Sequence, residues 1–217
     1  MSALKYKNYV FDLDGTLVDS MEKAVKIVLD YLDEHGVPYE PSIVKILTPL
    51  GFRGISVYYA TELGVPRTPD EIYATFTKRL LKAYAREMRL KSGVERALKG
   101  LKAQGARLCV LTASPHVFTD ICLKNWGVYE LFDNVWTAED FGLLKSDVRI
   151  YGEAAKRLGV DVSECVMVDD SLRVLRTAKS AGMRTVGVYE SFSDDEWAEI
   201  IKTADLSVRR LDELIKK

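Results

Sequence analysis

The sequence predicts an α/β fold in which a parallel sheet is covered by helices on both faces and interrupted once by a helical insertion. Three observations carry that expectation. Short apolar runs occur without alternation at Tyr9-Val10-Phe11, Leu108-Cys109-Val110-Leu111, Val166-Met167-Val168 and Thr185-Val186-Gly187-Val188. Amphipathic helix patterns separate the later runs, and the stretch from about residue 20 to 90 offers helices but no convincing strand.

A continuous β-branched run bounded by polar residues is the pattern of a strand buried on both faces, as a parallel sheet between helices requires. After the first such strand the period changes. One helix of the insertion carries Phe76, Leu80, Leu81, Tyr84 and Met88 on its apolar face and Lys78, Lys82, Arg86 and Arg89 on the other. Farther on, the helix patterns from Val94 to Gln104 and from Leu172 to Ala181 are closed by Gly105 and Gly182, residues that readily take the left-handed conformation ending a helix. Strand, helix, strand is then the repeating unit of a Rossmann-like core.

Composition narrows the class further. A chain of 217 residues with 47% hydrophobic and 29% charged residues can bury a core and is not a disordered polymer. With 31 Lys and Arg against 32 Asp and Glu, no global charge draws it to nucleic acid or an anionic membrane. Cys109, Cys122 and Cys165 form no CxxC pair, which argues against a disulfide framework or a zinc site. Neither a signal-peptide segment at the N-terminus nor a run of the ~18 to 20 apolar residues that span a bilayer is present. The expectation is a cytoplasmic protein, monomeric or weakly dimeric, without nucleic-acid or membrane partners.

Three of the four strands run into an oxygen-bearing residue at the carboxyl end: Asp12, Thr112, and Asp169 with Asp170. Ligands bind at that edge of open parallel sheets, although a single acid there could equally cap the next helix. Asp12 and Asp14 are two apart on extended chain and so face the same side, while Gly15 permits a sharp turn after them. Two carboxylates held together repel unless a cation or a shared proton intervenes, and all-oxygen ligands favour Mg²⁺.

The run Asp12-Leu13-Asp14-Gly15-Thr16-Leu17-Val18-Asp19-Ser20 resembles the signature of the haloacid dehalogenase-like hydrolase superfamily. Later elements follow in the family's order: Leu111-Thr112-Ala113-Ser114, then Lys145, then Val168-Asp169-Asp170-Ser171, with Ala178 to Met183 similar to the helix and turn that follow. The resemblance spans essentially the whole chain and is to the helical-cap branch that includes phosphoglycolate phosphatase and β-phosphoglucomutase. It implies a catalytic core over residues 1–15 and 91–217 and a helical cap with its hinges over 16–90. Asp12 is then the nucleophile and Asp14 the general acid and base. Thr112, Ala113 and Ser114 bind phosphoryl oxygens beside Gly15, and Lys145 neutralises charge. Mg²⁺ is held by Asp12, the Asp14 carbonyl and Asp170, with Asp169 a further ligand or beside the ligands.

The chain departs from the family's common pattern in places. Lys145 is followed by Ser146-Asp147 where proline is common, Asp169 stands where many relatives have glycine, Val174 stands at a later acidic place, and Ser92 replaces a frequent proline. The cap segment from Leu47 to Ser56 contains Arg53, which could clamp an anionic group on the substrate or simply be solvated. That segment has no lysine of the kind phosphonate hydrolases use for a Schiff base. Ala24 stands where the related sugar-phosphate mutases carry histidine, which favours water as acceptor. The expected activity is a Mg²⁺-dependent phosphatase acting on a small phosphomonoester. The alternatives are a sugar-phosphate mutase and a binding module with weakened chemistry.

Overall fold

A computed structural model describes residues 6–215; the first five residues, which entered the reading of the N-terminus, lie outside them. The sheet contains β1 (Asn8–Phe11), β4 (Arg107–Thr112), β5 (Asn134–Thr137), β6 (Cys165–Asp169), β7 (Arg184–Val188) and β8 (Leu206–Val208). Their order is β5-β4-β1-β6-β7-β8, and every pairing is parallel. All four strands expected from the apolar runs are present. Because β1 has β4 on one side and β6 on the other, the chain reverses its direction of travel across the sheet at β1. Connections diverge to opposite faces there and leave a crevice at the carboxyl ends.

Helices α5 (Val94–Ala103), α6 (His116–Asn125), α7 (Arg149–Leu158), α8 (Leu172–Ser180) and α9 (Trp197–Thr203) belong to this part of the chain. On one side Val10, Cys109, Leu111 and Met167 pack with Ile150, Tyr151 and Ala154 of α7 in a single buried cluster. Periodic burial of α7 follows from apolar residues recurring at helical spacing. Gly187 in β7 answers a different demand: a Cβ there would stand 2.3 Å from the side chain of Ile200, so α9 can lie this close only over a glycine.

The chain divides into two compact units, one made of the residues up to Ser20 together with those from Met88 onward, the other of Met21–Glu87. Residues flanking the crossings form a small antiparallel ribbon in the first unit, β2 (Val18–Asp19) paired with β3 (Arg89–Leu90), which the sequence patterns did not reveal. The second unit consists of α1 (Met21–Glu34), α2 (Ile43–Leu47), α3 (Gly51–Thr61) and α4 (Pro69–Arg86), with a 3₁₀ turn at Thr48–Leu50. Its core is aromatic: Phe76 meets Tyr31 and Tyr59 edge to face at 5.3 and 5.8 Å between ring centres. The Tyr59 hydroxyl donates to the Val28 carbonyl at 3.0 Å, so its one polar atom is satisfied. A capping box between Thr68 and Glu71, with Pro69 at the first helical position, starts α4. Among the described residues no helix is long and apolar enough to cross a membrane.

Candidate active site

The carboxyl ends of β1, β4 and β6 converge on one set of side chains. Asp12 follows β1 directly, and its N–H donates to Val168 O at 2.9 Å, which carries the sheet register one residue past the strand. Asp169 ends β6, Asp170 follows it, and Thr112 ends β4. Lys145 comes from the loop before α7 and reaches both acidic ends: its ammonium lies 2.5 Å from Asp12 Oδ1 and 2.7 Å from Asp169 Oδ2. The structure therefore brings together Asp12, Asp14, Gly15, Thr112, Ser114, Lys145, Asp169 and Asp170 through direct contacts or adjacent peptides.

Electrostatics follow from burial. Asp12, Asp169, Asp170 and Lys145 are all buried, and the one ammonium is in contact with two of the three carboxylates, Asp12 and Asp169. Burial pushes Asp12 well above the usual carboxylate range; Lys145 pulls it back, and Asp169, Asp170 and Asp14 push it up again. Asp170 is pushed up to about 7, first by burial and next by Asp169, against the Thr16 hydroxyl and the charges of Lys91 and Lys145. For Lys145 burial acts downward, but Asp12 and Asp169 outweigh it and hold the ammonium above the ordinary lysine range.

Oxygens of Asp12, Asp169 and Asp170 lie within 4.8 Å of one another. A buried, all-oxygen donor set that is short of positive charge suits a hard divalent cation. The Asp14 carboxylate is outside that group. Ser20 donates to its Oδ1 at 2.7 Å and Ser114 to its Oδ2 at 2.6 Å, so both oxygens are held by hydroxyls. Any contribution of Asp14 to the cation would come from its main-chain carbonyl, as the resemblance implies.

Several supports were not anticipated. Thr16 donates to Asp170 Oδ1 at 2.8 Å and fixes that carboxylate. Tyr151, fully buried on α7, donates to the Lys145 carbonyl at 2.6 Å. This hydroxyl pins the loop at the place where the family's usual proline is missing. Ser114 was expected to act through its backbone; in the structure its N–H donates to Thr112 Oγ1 at 3.0 Å and its hydroxyl is the one on Asp14. Ala113 is exposed in the bend after β4. His116 bonds Asp120 and Asp140 through its two ring nitrogens, at 3.2 and 2.8 Å. Arg53 belongs to the other unit, on α3, where it pairs with Asp70 at 2.8 Å and lies over the Tyr73 ring at 5.0 Å.

Gly15 shows how tightly the site is built. Its φ is +80°, and a Cβ added there would stand 2.5 Å from Asp170 Oδ2 and 2.8 Å from Asp170 Cγ. A left-handed conformation already costs a non-glycine residue about 1 to 2 kcal/mol. Gly15→Ala is expected to lower the melting temperature and to reduce kcat on the order of 100-fold, because Asp170 must move off Thr16 to make room. Phosphate-release kinetics with a thermal melt check this, and wild-type values in both would show that the loop tolerates a side chain.

The switch point of the parallel sheet thus gathers the carboxylates of Asp12, Asp14, Asp169 and Asp170 with hydroxyls and one lysine, a set of groups suited to phosphoryl chemistry. The chain matches the haloacid dehalogenase-like hydrolase family over residues 9–188 and belongs to that family. Among its relatives, validoxylamine A 7'-phosphate phosphatase from Streptomyces hygroscopicus subsp. limoneus is 28% identical over 215 residues, 96% of each chain. Hexitol phosphatase B from Escherichia coli is 26% identical over 211 residues, covering 96% of this chain and 94% of its own. A CbbY variant from Rhodobacter sphaeroides, solved in complex with xylulose-(1,5)bisphosphate, shares the fold with a TM-score of 0.81 over 96% of each chain at 23% identity.

Proposed function

We propose that this enzyme is a Mg²⁺-dependent phosphatase that hydrolyses a small phosphomonoester through an aspartyl-phosphate intermediate. The observation that supports this most strongly is the asymmetric environment of Asp12. Lys145 holds Oδ1, while Oδ2 takes no hydrogen bond among the described residues and keeps its lone pairs for attack. Attack by Oδ2 forms a bond to phosphorus as the bond to the substrate oxygen breaks. Asp14 gives the departing alkoxide its proton, then takes a proton from the water that cleaves the aspartyl phosphate, restoring Asp12 and releasing phosphate. Ser20 and Ser114 hold Asp14 for both steps. The Thr112 hydroxyl, oriented by the Ser114 N–H, and the backbone N–H of Ala113 donate to the phosphoryl oxygens, and Lys145 offsets their charge. Mg²⁺, held by Asp12, the Asp14 carbonyl and Asp170 with Asp169 beside them, would neutralise the phosphoryl group when bound.

The helical unit is assigned the part of a cap that selects the substrate. Arg53 is its recognition residue for an anionic group, since pairing to Asp70 and stacking on Tyr73 hold the planar guanidinium in one orientation. The two relatives, named for a validoxylamine A 7'-phosphate and for a hexitol phosphate, support a small phosphate monoester as the substrate class.

A panel of small phosphate esters tests the reading, assayed for released phosphate with Mg²⁺ and with a chelator in its place. Release is expected from several esters and only with the metal. Absence of metal-dependent release from every ester would overturn it. With β-glucose 1-phosphate and a bisphosphate primer, free phosphate should form faster than glucose 6-phosphate, because Ala24 supplies no group for a transfer between sugar oxygens. The reverse order would make the enzyme a mutase.

A further inference from the structure

Lys91 takes no part in the chemistry described above, yet its ammonium is bound at three places at once. It donates to the Gly15 carbonyl at 2.6 Å, to the Tyr189 carbonyl at 2.8 Å and to Glu190 Oε2 at 2.6 Å. An ammonium has three N–H bonds, and all three are used. Its own main-chain N–H donates to Leu17 O at 2.9 Å, so Lys91 grips the loop after β1 twice. Glu190 is a fixed anchor: it is buried, and its other oxygen accepts from the Ser191 hydroxyl and the Phe192 N–H, both at 3.2 Å.

We propose that Lys91 is a positioning residue for phosphoryl transfer that acts through the Gly15 carbonyl, an inference that rests on the phosphatase reading above. The carbonyl it holds belongs to the peptide joining Gly15 to Thr16. Fixing that peptide fixes Asp14, the residue before Gly15, and Thr16, the residue after Gly15, whose hydroxyl in turn holds Asp170. One cation thus sets the general acid and an acidic cluster residue from outside the reacting groups. Without the ammonium the loop retains the Gly15 N–H bond to Val18 O but loses its tie to the loop after β7. Displacement of catalytic groups by about 1 Å costs on the order of 100-fold in rate.

A purely structural role predicts something different, and a paired substitution separates the two. Lys91→Met alone leaves Glu190 buried without its cation and destabilises the protein whatever else Lys91 does. Lys91→Met with Glu190→Gln removes both charges, so the melting temperature should return close to wild type while kcat stays down on the order of 10- to 100-fold and KM changes by no more than roughly threefold. Lys91→Arg is the second variant. It keeps the charge against Glu190, but its planar fork cannot serve three divergent acceptors, and it should show the same loss of kcat. Amide hydrogen exchange of residues 13–18 is measured in parallel and should quicken in both variants while the sheet strands keep wild-type protection. Return of either kcat or the exchange of residues 13–18 to wild-type values in a folded variant overturns the proposal. A wild-type enzyme inactive on every phosphate ester would instead sink the phosphatase reading, and the exchange measurement would still decide whether Lys91 holds the loop.

Discussion

Asp12→Asn is expected to stop turnover while leaving the fold intact. The amide offers a weakly nucleophilic oxygen, so the first of the two displacements has no effective attacker, and losing a covalent nucleophile typically lowers kcat on the order of 10⁴- to 10⁶-fold. Stability should move the other way or not at all. Asp12 sits buried beside Asp169 and Asp170, and burial with those two charges is what raises its pKa, so removing its charge relieves repulsion. Lys145 keeps a partner in Asp169 at 2.7 Å. Phosphate release and a thermal melt on the same preparation give the result, with mass spectrometry looking for a phosphoryl adduct on the Asp12 peptide of the wild type only. Most of the wild-type rate surviving in the asparagine variant would dispose of the covalent mechanism.

How much of this was visible in the sequence depends on whether the signal was local. β1, β4, β6 and β7 could be read because each is a run of apolar residues buried on both faces. β5 was not, since Asn134-Val135-Trp136-Thr137 has only two apolar residues, and its place in the sheet comes from pairing with β4. β8 is a three-residue edge strand, too short to show a pattern. The ribbon between β2 and β3 joins Val18 to Leu90, and a contact that distant leaves no periodicity in either segment.

The site divides in the same way. Asp12, Asp14, Thr112, Asp169 and Asp170 stand at or just past strand ends, a position that sequence alone marks as a ligand-binding edge. Their supports are tertiary. Nothing around Lys145 announces that Tyr151 will hold its carbonyl, and Ser20 and Thr16 were quoted within the signature without a role. Lys91 escaped notice because its three acceptors lie in loops after two different strands, 76 to 99 residues away in the chain.

Lys145→Met is expected to damage activity and stability together, with a pH dependence that identifies the cause. Without the ammonium, Asp12, Asp169 and Asp170 remain buried with no cation in contact, and breaking a buried pair from one side costs about 3 to 5 kcal/mol. The sign follows from proton binding. A carboxyl whose pKa is raised in the folded protein binds more protons there than in the unfolded chain, so stability falls as pH rises through the interval between the two values and is level above it. In the metal-free wild type Asp170 supplies such an interval, from about 4 to about 7. The variant should extend it upward, because Asp12 loses the one charge that pulls its pKa down most. The difference in melting temperature between wild type and variant should therefore be small near pH 5, grow toward pH 8, and narrow again at pH 8 when Mg²⁺ is added. Activity should fall on the order of 10³-fold, since the charge that offsets the phosphoryl oxygens is gone. A difference in melting temperature that stays constant from pH 5 to pH 8 would mean that Lys145 supports the loop through packing and not the acidic cluster through charge.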